Sequence, residues 1–273
     1  MNKKLLFLDL DGTLLNDAKQ ITAGNRQALN GALERGHGII IATGRPLKSA
    51  MDQARKLALD RPGCYLIAYN GAVIYDWTKN QQIFSHPMPF CAVSRVFEKA
   101  NAMGVHIQTY DAWQVVVEPR CDDDAVRRYC SMTGMEYRVV GAVPADLGEE
   151  PVKCLVIDYE KQTELLVMQQ WIRENMAEEV ACFFSCDQYL EVVPKGMNKG
   201  QAVKKLCAIA DVPIGNAVAV GDAANDAAMI EAAGVGVAMA NGTPDVKAIA
   251  DYITEKDNNH DGIAEVVERF LND

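Results

Sequence analysis

A doubly wound α/β core interrupted by an α+β insertion is the architecture that this 273-residue sequence predicts. Three observations predict it. Apolar strands alternate with amphipathic helices from residue 3 to residue 68, the same rhythm returns from residue 199, and the stretch between them has the short spacing of hairpins. The apolar fraction of 49% and the charged fraction of 23% are ordinary for a chain that buries a sizeable core.

Residues 3–8 read as the first strand, Thr22 as the cap of a helix running to about residue 35, and residues 37–42 as a second apolar strand. Pro46 suits the first turn of a helix reaching residue 59, residues 65–68 form a third strand, and Asn70-Gly71 makes a tight turn. Parallel strands need crossovers and right-handed crossovers dominate, so helices should cover both faces of this sheet. The insertion reads as a helix after Pro89, strands over 105–109 and 114–117, and a helix over 122–132. Strands over 136–140 and 152–158, a helix over 162–174, and a strand pair over 180–185 and 189–193 complete it. This pattern predicts an antiparallel sheet with helices over one face. A helix over 199–210, a strand over 217–220, a helix over 226–233 ended by Gly234, and a strand over 235–239 then resume the first rhythm. The core is therefore expected to be discontinuous, built from residues 1–83 and 191–273, with 84–190 inserted as a lid.

The formal charge of -10 argues against a nucleic-acid partner, whose phosphates such a surface repels. Met1-Asn2-Lys3-Lys4 has the charge of a signal-peptide start, but the apolar run behind it stops at Asp9, too early for a leader or a membrane span. No membrane partner and a cytoplasmic enzyme are expected. The eight cysteines are scattered without a Cys-x-x-Cys pair or zinc-like spacing to histidine, and Cys182 and Cys186 flank apolar Phe183-Phe184, so buried free thiols are expected. His86 and His106 carry no pattern.

Chemistry concentrates where the core strands end. Asp9-Leu10-Asp11-Gly12-Thr13-Leu14 follows the apolar run Leu5–Leu8, and alternation along an extended segment would aim Asp9 and Asp11 the same way before Gly12 turns the chain. Alone, such a pair equally fits a turn or a Ca²⁺ loop. Thr43-Gly44-Arg45 follows the second strand and offers a hydroxyl and backbone N–H groups to a phosphate oxygen, or only a strand-to-helix turn. Lys199 opens a helix, where the dipole favours anions, so it either serves a bound anion or is simply solvated. Gly221-Asp222-Ala223-Ala224-Asn225-Asp226 again places carboxylates after a strand, where a helix cap is the simpler alternative.

Together these four clusters resemble the four ordered motifs of the haloacid dehalogenase (HAD) superfamily. The long insertion between the second and third motifs resembles the type-IIB cap of its Cof-like sugar-phosphate phosphatases. Asn70-Gly71-Ala72, Pro194-x-Gly196-x-Asn198-Lys199-Gly200 and Asp261-Gly262-Ile263-Ala264 extend the likeness across the chain. Ala223 stands where many relatives carry Ser or Gly. The resemblance implies a mostly parallel Rossmann-like core and Mg²⁺ bound by Asp9, the carbonyl of Asp11 and Asp222. Asn225 is implied as a phosphate ligand, and Asp226 as a support for coordinated water, phosphate or Lys199. It implies Asp9 as nucleophile and Asp11 as acid and base. Leu10, Thr43, Gly44 and Lys199 would bind the phosphoryl group, with Arg45 and cap loops near 111–114 and 185–189 meeting the rest of a small phosphorylated metabolite. A phosphomutase of the same superfamily, or a non-catalytic sugar-phosphate-binding regulator, would use similar residues. Either a monomer or a homodimer is compatible.

Overall fold

The computed structural model describes residues 2–160 and 162–272. The chain opens with strand β1 (Leu5–Leu8), helix α1 (Ala23–Glu34), β2 (Gly38–Ala42), α2 (Leu47–Lys56) and β3 (Cys64–Ala68). A 3₁₀ turn at Tyr69–Gly71 leads into β4 (Val73–Asp76) and β5 (Gln81–Ser85). The insertion carries α3 (Phe90–Met103), β6 (His106–Tyr110), β7 (Gln114–Val117), α4 (Asp124–Thr133), β8 (Glu136–Val139), β9 (Cys154–Ile157), α5 (Gln162–Asn175), β10 (Val180–Cys186) and β11 (Tyr189–Pro194). Then follow α6 (Lys199–Ile209), β12 (Ala217–Gly221), α7 (Ala227–Ala232), β13 (Val235–Ala238), α8 (Pro244–Ile249), β14 (Tyr252–Ile253) and α9 (Gly262–Phe270).

Among the described residues, one sheet runs β14-β13-β12-β1-β2-β3-β4-β5. Its first six strands pair in parallel, and β4 turns back antiparallel to β3. Every residue of β1, β2 and β12 is buried, as expected for central parallel strands covered on both faces. Leu5, Phe7, Ile40 and Ala219 pack against Ala202, Val203 and Leu206 of α6 and Met229 of α7. From β1 the chain advances to β2 and β3, whereas from β12 it advances the other way to β13 and β14. Right-handed crossovers in opposite directions put α1 and α7 on opposite faces and open a crevice at the carboxyl ends of β1 and β12.

The turn after β3 needs its glycine. Tyr69, Asn70 and Gly71 have φ of 51, 55 and 112°, and a Cβ on Gly71 would come within 2.4 Å of the Asn198 carbonyl oxygen. This turn joins β3 to the antiparallel β4; β4, its neighbour β5, α8 and β14 have no counterpart in the sequence reading. Thr22 stands at the cap position of α1 as expected, but its side chain accepts nothing from the helix, because Asp261 Oδ1 takes the Asn25 amide at 3.2 Å and the Thr22 hydroxyl at 2.5 Å, tying the start of α1 to that of α9.

Contacts divide the chain into two compact units, residues 1–45, 50–84 and 198–273 in one and 46–49 and 85–197 in the other. The return crossing lies at 197/198 and not at 190/191, because β11 pairs antiparallel with β9 and β10 along its length. The second sheet runs β10-β11-β9-β6-β7-β8. It departs from the expected antiparallel pattern at β7–β8, which pair in parallel because α4 crosses over between them. Helices also cover both of its faces. Tyr110 of β6 meets Tyr129 of α4 at 2.8 Å between hydroxyls, and His106 meets Asp123 at 3.0 Å. Thr109, Cys154, Val192 and Cys182 are directly opposed across the strands and hence share the other face, where Cys182 lies beside Gln169 of α5. The cysteines are free, but Cys186 is exposed and Cys182 half-buried, because β10 is an edge strand. No helix of the described residues is long and apolar enough to cross a membrane.

Candidate active site

The crevice at the ends of β1 and β12 gathers the polar residues of four segments. Asp9 follows β1 directly, its amide still donating to the Val220 carbonyl at 3.1 Å, and its side chain is buried. Asp222 follows β12, and Asp226 closes the 3₁₀ turn Ala224–Asp226 behind it. Carboxylate oxygens of Asp9, Asp222 and Asp226 all lie within 4.8 Å of one another. Lys199, the first residue of α6, sends a fully buried ammonium among them, donating to Asp9 Oδ1 and, at 2.6 Å, to Asp226 Oδ1. Asn198 caps this helix by accepting from the Gln201 amide at 2.9 Å. A cation at a helix start opposes the dipole, and the two carboxylates offset that penalty.

The three carboxylates are differently engaged. Asp226 is saturated: beyond Lys199, its Oδ2 accepts from the amides of Asp222 at 3.1 Å and Ala223 at 3.2 Å. Asp222 Oδ1 accepts from the Thr13 hydroxyl at 2.7 Å. Three carboxylates face one ammonium, leaving a net negative, oxygen-only donor set that fits a hard divalent cation, with Asp9 and Asp222 holding oxygens to spare. Gly12 keeps the approach open: its φ is +85°, and a Cβ there would stand 2.4 Å from Asp222 Oδ2. The Asn241 side-chain amide fixes this turn by donating to the Gly12 carbonyl at 2.7 Å.

Burial, opposed by Lys199 and reinforced by Asp226, pushes the Asp9 carboxyl up to about 7. Burial also raises Asp222, against the Thr13 hydrogen bond. For Lys199 burial works downward, but Asp9 and Asp226 outweigh it and hold the ammonium above its ordinary value. The lysine therefore stays charged, and Asp9 is the group of this pair that takes up a proton.

Asp11 does not share the direction of Asp9. The strand ends at Leu8 and the chain is already turning, with Leu14 and Leu15 amides donating back to the Asp9 and Leu10 carbonyls at 3.2 and 2.8 Å. The Asp11 carboxylate points instead to Arg45 Nη2, at 2.8 Å from Oδ2 and 3.2 Å from Oδ1, and to Lys19 Nζ, at 2.8 Å from Oδ1. Its partial burial favours the acid, but hydrogen bonds from Lys19 and Arg45 prevail and hold it below the usual carboxylate range.

Thr43 is buried after β2, its amide donating to Ile67 and its hydroxyl oxygen accepting from the Arg45 amide at 3.2 Å, so the hydroxyl proton is left to donate elsewhere. Gly44 lies against the Asn70 side chain. Leu10 buries its side chain and offers only backbone, and Asn225 is exposed on the 3₁₀ turn between Asp222 and Asp226. Sequence reasoning assigned no role to Thr13, Lys19 or Asn241. Thr13 sat within the first motif, whereas nothing in the local sequence marks Lys19 or Asn241.

Acidic groups and a buried lysine at the switch point of a doubly wound sheet form a site suited to a cation and a phosphoryl group. The sequence pattern of the haloacid dehalogenase-like hydrolases matches residues 6–267, and the chain belongs to that family. It is 30% identical to the 5-amino-6-(5-phospho-D-ribitylamino)uracil phosphatase YcsE of Bacillus subtilis, over 98% of this chain and 96% of the relative. It is 29% identical to the pyridoxal phosphate phosphatase YbhA of Escherichia coli, over 99% and 100%. Its fold matches that of a haloacid dehalogenase-like hydrolase from Bacteroides thetaiotaomicron with a TM-score of 0.88 at 32% identity, covering 98% of this chain and 99% of the other. The protein is a phosphatase of this family.

Proposed function

We propose that this phosphatase hydrolyses small phosphorylated metabolites, sugar phosphates foremost, through an aspartyl-phosphate on Asp9. The observation that carries the reading is the buried Asp9 carboxylate, held by Lys199 beside Asp222 at the crevice floor while Asp11 stands apart toward solvent. One Asp9 oxygen attacks phosphorus as the bond to the leaving oxygen breaks, and Asp11, which must first part from Lys19 and Arg45 and take up a proton from solvent, gives that oxygen its proton. Water then attacks phosphorus, Asp11 takes the proton, and the acyl-phosphate bond breaks to restore Asp9 and release inorganic phosphate. The Thr43 hydroxyl, the backbone amides of Leu10 and Gly44, Asn225 and Lys199 serve the phosphoryl oxygens. Asp9, Asp222 and the Asp11 carbonyl would hold Mg²⁺, which neutralises charge on the phosphoryl group. Asp226 orients Lys199 and the Asp222 backbone.

The named relatives support small substrates, since one is a pyridoxal phosphate phosphatase and the other acts on a phosphorylated ribityl compound. We assign choice of the leaving group to the inserted unit and to Arg45. A phosphate-release screen over metabolite monoesters with Mg²⁺, run beside Asp9→Asn, tests the proposal. Free phosphate from wild type and none from the variant is expected. Turnover surviving in Asp9→Asn, or an isomeric sugar phosphate as the product, contradicts it.

A further inference from the structure

We propose that the side-chain amide of Asn70 is a specificity group that reads a hydroxyl on the leaving group, so that phosphate esters of polyols and sugars are favoured over plain alkyl esters. The inference rests on the proposed seat of the phosphoryl group at Asp9, Thr43 and Gly44, and adds to it a residue from the end of the next strand. Asn70 follows β3, which pairs with β2 in the sheet. Its backbone is clamped: its amide donates to the Thr43 carbonyl at 3.1 Å, and the Tyr69 amide donates to the Arg45 carbonyl at 3.1 Å. On the other side, the close approach of Gly71 to the Asn198 carbonyl ties the turn to the start of α6, one residue before Lys199. The turn is thus framed by the Thr43–Arg45 segment and by the helix that carries Lys199.

Asn70 is only 8% exposed, yet among the described residues its side-chain amide neither donates nor accepts a hydrogen bond, and neither polar atom is sealed from solvent. Backbone conformation does not account for it. A φ of 55° suits asparagine, but Tyr69 at 51° and Ala58 at 58° hold the same region, so the turn does not require an amide. Burying such a group without a protein partner is costly, which marks it as placed for a ligand. Its geometry selects the part of the ligand. Oδ1 lies 2.9 Å and Nδ2 3.1 Å from where a Gly44 Cβ would stand, so acceptor and donor are presented side by side over the glycine. A phosphoryl oxygen only accepts, and the acceptor half of the amide repels it. A hydroxyl both donates and accepts, and so matches the two halves. The β3 strand also stands two strand spacings, about 10 Å, from β1, which sets Asn70 away from the phosphorus that Asp9 attacks.

Glycerol 3-phosphate and propyl phosphate share a carbon skeleton and differ only in hydroxyls, and so test this directly. The quantity read is the ratio of their kcat/KM values for phosphate release in wild type and in Asn70→Gly, since glycine keeps the left-handed turn and removes the amide. The unequal acidity of the two leaving alcohols, and any general effect of the substitution, cancel when the ratios are compared between proteins. The ratio of glycerol 3-phosphate to propyl phosphate should fall about fivefold in Asn70→Gly, the contribution of one neutral hydrogen bond. Equal ratios with and without the amide, equal weakening of both esters included, overturn the assignment. Where wild type releases phosphate from neither ester, the same ratio is read from Kd values with and without Asn70→Gly. A binding preference that depends on Asn70 then supports the assignment and counts against the hydrolytic reading alone, and its absence overturns the assignment.

Discussion

Replacing Lys199 with Met removes the one ammonium that separates Asp9 from Asp226 while keeping a chain of similar length. The side chain is fully buried, donates to Asp9 and lies 2.6 Å from Asp226, so no water takes over its contacts in the closed core. Each contact is worth several kcal/mol by Coulomb's law at a protein-like dielectric, but burying the ammonium opposes that gain. Breaking a buried pair from one side typically costs about 3–5 kcal/mol, because the remaining charge is stranded. For a domain of this size that amounts to a fall in melting midpoint of roughly 6–20 °C. The variant's Asp9 pKa should rise further, since Lys199 is the main influence holding it down. Calorimetry or circular dichroism melts in chelator measure the shift, and millimolar Mg²⁺ should recover part of it by returning positive charge to the cluster. Lys195→Met is the control, because that lysine pairs with the exposed Glu178 and its loss should leave the midpoint in place. A Lys199→Met midpoint in chelator indistinguishable from wild type would refute the reasoning.

Asp9 has a raised carboxyl pKa in the folded protein, so without metal its contribution to stability is full below its ordinary value of 3.8 and is lost as pH rises through about 7. Melts in chelator should show this contribution disappear in wild type and not in Asp9→Asn, while Mg²⁺ affinity by calorimetry should climb over the same interval as the carboxylate ionises. His37 supplies an opposite pH dependence: burial lowers its pKa despite the Leu271 carbonyl, and its Nδ1 accepts from the Lys4 amide at 3.1 Å. Protonation would set two N–H groups against each other, so stability from this site should be lost as pH falls through its depressed pKa, a dependence that His37→Gln should flatten. Gly12→Ala combines a φ of +85° with a Cβ 2.4 Å from Asp222 Oδ2, so it should weaken Mg²⁺ binding at least tenfold while far-ultraviolet circular dichroism is preserved. Unchanged affinity would mean that Asp222 is not a metal ligand.

The positions of Asp9, Lys199 and Asp222 were legible because each directly follows or precedes an apolar run long enough to be a buried strand or helix, and parallel sheets collect such ends at one edge. The aim of the Asp11 side chain was not. Alternation holds only while the strand is extended, and the chain begins to turn before Asp11, sending its carboxylate to Arg45 and Lys19. Lys19 depends on a five-residue turn whose hydrogen bonds have no periodic signature, and Thr13 meets Asp222 across 209 residues of chain. Thr22 shows the same limit, since a sound local cap was displaced by a tertiary partner, Asp261. In the insertion, the lengths of β7, α4 and β8 were readable, but only pairing partners distinguish a parallel crossover from an antiparallel hairpin.

The central claim is that Asp9 carries the phosphoryl group. Rapid acid quench during turnover of a substrate from the release screen, followed by peptide mass mapping, tests it most directly. One phosphoryl group on the peptide containing Asp9, absent from Asp9→Asn and discharged as inorganic phosphate when the chase proceeds, is the predicted result. A phosphorylated residue elsewhere, or full burst turnover with Asp9 never modified, would contradict it.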